Sequence, residues 1–351
     1  MGLNGITNFR PYAFLRLLYS DASTPWPYNG SVHPHKYLNK MAVAPVQQAQ
    51  AAPKSIAFGL TLATLGAVAF SGKAIIVKLA YRHGVDAVTL IMLRMLFALP
   101  FFLAMGWWAS RRTPTRDPVQ LTRKDWMGVV WLGITGYYLA SFLDFAGLQY
   151  ITASLERLIL YLNPTLVLLL GFVCVGRRIG RLQALGMAIS YGGVLLVFGH
   201  EVSLQGRDVA LGAVLVLLSA ASYALYLFYS GEIVQRLGSL RLVGLATSVA
   251  CVLCIAQFVI LRPLDTAFQV APEVIGLSVL NATLCTVVPV MMVMMAIERI
   301  GSGLAAQVGM VGPMSTMLMG VLLLNEPFTA WLVAGTVLVI AGVFVCSRGR
   351  G

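Results

Sequence analysis

Ten apolar blocks, each close to the length of one membrane crossing, dominate this chain and leave few folds open to it. They run over 56–81, 86–107, 126–148, 152–176, 180–200, 208–229, 240–262, 273–296, 301–324 and 328–347. A helix needs about 20 predominantly apolar residues to cross the hydrocarbon core. Each block is expected to be helical, because lipid offers no partner to backbone N–H and C=O groups. A membrane barrel would need strands of about ten residues with alternating polarity, and the blocks do not alternate. Only 11% of the residues are charged, against about 25% in soluble domains. The expected fold class is an all-α polytopic membrane protein with about ten transmembrane helices.

Charge placement orients these spans. With the N-terminus in the cytoplasm, 18 Lys and Arg residues fall in cytoplasmic segments and 3 in outer ones. That asymmetry is the positive-inside signature, and it places both termini in the cytoplasm. Residues 1–55 hold six prolines and no spanning run. They read as a flexible cytoplasmic leader, with Met41 as an alternative start. Residues 348–351 form a short basic tail. The net charge of +12 raises the question of nucleic acid, but its confinement to membrane-flanking loops points away from it. The lipid bilayer is the expected partner.

The chain also resembles itself. An offset of 149 positions pairs Pro164 with Pro313, Ile151 with Ile300, Leu155 with Leu304, Gly186 with Gly335, Gly193 with Gly342 and Val194 with Val343. The first helices of each half pair at a slightly larger offset, AVAFSGKAIIV against AASYALYLFYS, which sets Phe70 opposite Tyr223. The expected repeats are 56–205 and 206–347, with five helices each. An odd number of crossings inverts the second copy, and inverted repeats with a site near the midplane are typical of secondary transporters. Pro164 and Pro313 interrupt the fourth helix of each half. They act as packing kinks or as loosened backbone beside a solute path.

Other chemistries lack support. Cys174, Cys251, Cys254, Cys285 and Cys346 all sit in apolar runs. The Cys251–Cys254 pair has no second Cys or His pair beside it, so all five read as small apolar filler. No metal or cofactor is expected. No H-E-x-x-H, G-x-S-x-G or Walker string occurs. A membrane-embedded enzyme acting on lipids or peptides, or a scaffold or sensor, remains the alternative to a transporter. A scaffold has no need of inverted halves.

Three strings carry a family resemblance. AFSGKAIIVKLA followed by LIMLRMLFALP resembles the first two helices of EamA-type members of the drug/metabolite transporter superfamily. GLQYITASLERLILYLNPTLVLLLGFVCVGRR followed by LGMAISYGGVLLV resembles the fourth and fifth, and GVLLLNEPFTAWLVAGTVLVIAGVFV the end of the second repeat. The likeness covers about residues 56–347. It implies a ten-helix bundle with a cavity that opens alternately to either side of a bacterial inner membrane. It also implies export or exchange of amino acids, related metabolites or amphipathic compounds. The family pattern has an acid where the fourth helix ends. Glu326 fits it in the second half, whereas Arg177 stands there in the first.

Ionisable residues inside a bilayer are functional candidates, since insertion costs about 2.5–3.5 kcal/mol at the helix centre. Here they are Lys73, Lys78, Arg94, Asp144, Glu156 and Arg157. Glu156 leads: with Asn163 seven residues on, and with Arg157 and Tyr161 on the adjacent face, it forms a polar stripe toward Pro164. A carboxylate there can bind and release a proton during transport, or it can pair statically with a base. Arg94 is expected to hydrogen-bond across helices or to hold a substrate carboxylate. Lys78 is expected to snorkel outward, and Asp144 to pair with one of the bases. Phe70, Tyr138, Ser141, Tyr161, Tyr223, Asn281 and Gln307 form a second set, either lining a cavity or joining helices. Glu326 and Pro327 are expected to begin the tenth helix.

Overall fold

The computed structural model describes residues 53–111, 121–176, 178–206, 208–309 and 311–348. Nearly all of the expected leader, Arg177 and residues 349–351 lie outside these. The elements are helical throughout. The first repeat holds α1 (Pro53–Tyr81), α2 (Ala87–Arg111), α3 (Arg123–Gly133), α4 (Ala140–Leu148), α5 (Ala153–Leu160), α6 (Asn163–Val175) and α7 (Arg181–Gln205). The second holds α8 (Asp208–Leu237), α9 (Ser239–Leu261), α10 (Pro272–Ala282), α11 (Val288–Gly309), α12 (Val311–Leu324) and α13 (Ala330–Arg348). Among the described residues, nine helical segments are long and apolar enough to cross a membrane, and Val311–Leu324 is apolar but shorter.

The short ninth span has a physical reason. α11 is helical from Val288 to Gly309, across the expected connection between the blocks 273–296 and 301–324. Yet Ile300 sits against Gly59, whereas Gly312 accepts a hydrogen bond from Ser71. Twelve residues of α1 separate these two levels, about 18 Å at the helical rise. A straight α11 would carry Gly309 away from Ser71, too far for three residues to recover. The chain therefore turns back within the helical stretch after Ile300, and α12 then ascends beside α1. It reaches the end of α1, where Arg82 Nη2 donates to the Leu324 carbonyl at 2.7 Å.

Helices pack across the repeats rather than within them. Gly66 and Gly72 of α1 lie against Val293 and Cys285, so α1 runs antiparallel to α10 and α11. In the same way Gly128, Gly136 and Gly147 lie against Ile233, Tyr226 and Val216 of α8. The tightest packing joins α7 and α13. A Cβ on Gly186 would stand 2.6 Å from the Gly342 carbonyl, and one on Gly193 2.7 Å from the Gly335 carbonyl. These two contacts exchange when each residue is replaced by its counterpart 149 positions away. Ser190, which donates to the Val339 carbonyl at 3.4 Å, meets its own counterpart. A pseudo-two-fold axis therefore passes between two antiparallel helices and perpendicular to them. This is the inverted repeat, with its axis in the membrane plane.

The same offset governs the backbone irregularities. A π-turn at Ile134–Leu139 joins α3 to α4, and another at Thr283–Val287 joins α10 to α11. Their first residues are 149 positions apart. A π-turn shifts the i→i−4 ladder and frees a carbonyl. Ser222 of α8 donates to Thr135 O, and Thr286 Oγ1 to Asn281 O five residues back. Leu195, Ile260, Leu322 and Val337 point outward and are exposed, as expected of a surface that meets lipid.

Candidate functional site

The two central segments of the fourth span position the site. Thr152 caps α5 by accepting from Leu155 N, and the helix ends after Leu160. Leu162 N then bonds Ile159 O and Thr165 N bonds Leu162 O, and Pro164 takes a place in the first turn of α6. Proline fits there because its missing N–H is not needed in a first turn. Pro313 occupies the matching place in α12. The α5 segment carries Glu156 and Arg157 into the interior between α1, α4 and α12.

There a buried trio forms. Lys73 Nζ of α1 donates to Asp144 Oδ2 of α4 at 2.5 Å and lies 3.5 Å from Glu156 Oε1. Lys73, Asp144 and Glu156 are 8%, 2% and 0% exposed. Among the described residues, Asp144 Oδ1 and both Glu156 oxygens have no hydrogen-bond donor. Two carboxylates thus share one ammonium, and one added proton makes the trio neutral. Arg157 extends the site toward the second repeat. Its Nε donates to Thr316 Oγ1 and its Nη2 to Ser71 Oγ, both at 3.1 Å. Tyr161 OH donates to Gly309 O at 2.6 Å. The stripe of Arg157 and Tyr161 therefore faces the second repeat, while the break after Leu160 takes Asn163 onto a new helix. Its Oδ1 is buried without a partner.

Two halves, each with its own irregular fourth span, match known proteins. The family model for EamA-like transporters matches residues 57–199 and again 210–348. The chain belongs to the EamA-like transporter family. The transporter is 30% identical over 279 residues to the uncharacterized transporter YcbK of Bacillus subtilis, covering 78% of this chain and 87% of the relative. It is 22% identical over 285 residues to an uncharacterized transporter of Archaeoglobus fulgidus, covering 81% and 95%. A crystal structure sharing 16% identity matches with a TM-score of 0.55 over 84% of this chain and 99% of that one, a likeness of fold. The transporter is an integral membrane protein.

The remaining expected residues fall in different places. Arg94 of α2 is buried, and its Nε donates to Thr286 Oγ1 at 3.1 Å in the second π-turn. Its guanidinium lies 5.1 Å from the Phe145 ring centroid. Phe145 follows Asp144, so Arg94 borders the trio. Asn281 is buried on α10. Tyr138 and Ser141 are half-buried at the first π-turn and the start of α4, and Phe70 is half-buried on α1. Tyr223 stacks on Tyr226, with ring centroids 5.4 Å apart. Tyr226 in turn meets Tyr137 edge-on at 5.1 Å. This aromatic group lies in α8 and the first π-turn, apart from the trio. The Gln307 side chain lies outside what is described.

Lys78 Nζ donates to Leu148 O at 3.0 Å, where the end of α4 presents a carbonyl to a nearby cation. One expectation is corrected. Glu326 and Pro327 do not begin the tenth helix, which starts at Ala330. Asn325 takes a left-handed φ of 57° and turns the chain back. The Glu326 carboxylate then accepts from Ala153 N at 2.7 Å and from Ser154 Oγ at 2.7 Å, capping α5 of the other repeat. Thr152 beside it bonds Glu201 of α7. Ser71, Thr286, Thr316 and Glu201 are site-shaping residues that the sequence reading passed over. Hydroxyls inside apolar spans were the available signal for the first three, and a carboxylate at the end of the fifth span for Glu201.

Proposed function

We propose that the transporter moves a small metabolite, such as an amino acid or a related amphipathic compound, by alternating access, and couples this to protons. The observation that carries the reading is the trio: two buried carboxylates on one ammonium, on three different helices. Lys73 and Asp144 form the close pair, and Glu156 is the exchangeable group. When the site opens to water Glu156 releases its proton, and when it closes a proton or a substituting charge neutralises the trio. Burying an unpaired charge costs several kcal/mol, which links the proton to the conformation.

The pseudo-two-fold supports alternating access, because either half can take the arrangement now held by the other. In the proposed orientation both termini are cytoplasmic in a bacterial inner membrane. Arg82, Thr152, Glu201 and Glu326 then close the outer end. Nothing in this cycle calls for bond-making chemistry, so the protein acts as a carrier and not as an enzyme.

Purified protein in liposomes is expected to move at least one of a panel of amino acids and organic cations faster than empty liposomes. The rate should change when a pH gradient is imposed. No flux for any compound would reject the reading.

A further inference from the structure

Among the described residues, Arg94 is a buried base that meets no carboxylate at bonding distance. Its described hydrogen bond goes to the Thr286 hydroxyl, one face covers the Phe145 ring, and Nη1 has no partner among the described residues. The side chain is 5% exposed. A guanidinium keeps its charge in any protein setting, and a buried donor left unmade costs about 1–3 kcal/mol or more when charged. Arg157 differs, since one of its described bonds crosses to Thr316 of the second repeat and the other goes to Ser71 of α1.

Unpartnered groups continue along α10. Ser278 Oγ and both amide atoms of Asn281 are buried and have no partner. Ser278, Asn281 and Cys285 follow at spacings of three and four, which is one helix face. Cys285 Sγ lies 3.0 Å from where a Cβ of Gly72 would stand, so that face looks toward α1, and α10 packs on α1 and α2. Asp144, beside Phe145 in sequence, also has an oxygen, Oδ1, with no hydrogen-bond partner among the described residues. The region thus offers one unpartnered guanidinium nitrogen, an amide that can donate and accept, a hydroxyl and a carboxylate oxygen.

We infer that Arg94 binds the carboxylate of the transported solute, with Asn281 and Ser278 as polar neighbours at the second π-turn. The inference rests on the transport reading and narrows it to solutes bearing a carboxylate. The charged Nη1 supplies a charge-assisted donor, which suits a carboxylate better than a lone amine or hydroxyl. Phe145 shields the pair from water. The π-turn holds Thr286 on Nε, so Nη1 is left for the solute.

Binding tests this without requiring transport. The full chain in detergent is heated with millimolar amino acids and short-chain monocarboxylates, each beside its own amide, in chloride and in methanesulfonate buffers. At least one carboxylate should raise the unfolding temperature where its amide does not. Arg94→Gln should weaken that compound's apparent affinity about tenfold or more, Arg94→Lys by less, and Arg157→Gln little. Equal effects of every carboxylate and its amide, a rise from chloride alone, or a loss that follows Arg157→Gln instead would overturn the inference. Should Arg94→Gln fail to elute as a single species, the wild-type comparison of acid and amide still decides. Saturable flux of amides would leave transport standing while removing the carboxylate.

Discussion

The two repeats share their backbone devices and divide their chemistry. Both have a π-turn in the third span, a proline in the first turn of the second half of the fourth, and a glycine-lined fifth. The 149-residue offset relates all three. The trio does not repeat. Glu156 and Arg157 correspond to Ala305 and Ala306, Asp144 to Val293, and Lys73, at the offset of the first helices, to Tyr226. The comparison teaches that backbone and charge are distributed separately here. Irregular backbone occurs at matching places in both halves, while the buried trio belongs to one half; in the proposed cycle the first would serve motion and the second coupling.

Substitution at matched positions sharpens this. Lys73→Met leaves two carboxylates with no ammonium. Breaking a buried pair from one side costs about 3–5 kcal/mol, so thermal unfolding should show a large loss. Tyr226→Phe removes only the 3.2 Å contact between the Tyr226 and Tyr137 hydroxyls, about 1 kcal/mol. Equal losses would break the claim that charge is confined to one half.

Next in size are the glycines that express the shared frame. Gly186→Ala would set a methyl 2.5 Å from Cys346 N, and Gly335→Ala one 2.7 Å from Gly193 O. Each should cost about 1–3 kcal/mol through forced backbone shifts, and the two costs should match. Gly192→Ala, with nothing within 4 Å, should be neutral or slightly stabilising. A Gly186 penalty without a Gly335 penalty would argue against a reciprocal interface.

The ends of the spans differ more modestly. Glu326→Ala removes the carboxylate that caps α5 across the repeats, a loss of about 1–2 kcal/mol on the scale of helix caps. Asp86 caps α2 by accepting from Val88 N and Thr89 N. Its counterpart helix α9 begins after Gly238 with no side-chain cap. Burial works to raise the Asp86 carboxyl, yet hydrogen bonds from Thr89 and the Arg262 cation hold it below its ordinary value. A depressed carboxyl stabilises the fold above its unfolded pKa, and that stability is lost as pH falls through the lowered folded value. Asp86→Ala should therefore cost about 1 kcal/mol at neutral pH. Its difference from wild type should shrink only below the usual carboxylate range, as read from unfolding midpoints against pH.

Much of the frame was legible in the sequence because it is written in composition. Apolar length marks the spans, and Pro164, Pro313, Gly186 and Gly335 mark the offset. The ionisable residues stood out against lipid, but their partners did not. Lys73 and Asp144 are 71 positions apart, and only the packing of α1 on α4 joins them. The π-turns left no trace, since a shift of hydrogen-bond register needs no particular residue. Glu326 was misplaced because a single left-handed residue, Asn325, sends its carboxylate back to α5. The turn after Ile300 falls where the apolar blocks 273–296 and 301–324 part, beside Glu298 and Arg299.

Proton movement measured beside solute movement probes the account at its centre. Liposomes loaded with a pH-sensitive dye should report proton flow when a transported solute is added to the wild-type protein. In Glu156→Gln the solute should still exchange across the membrane while the dye signal is lost. Undiminished proton flow in Glu156→Gln would contradict a single coupling site in the first repeat.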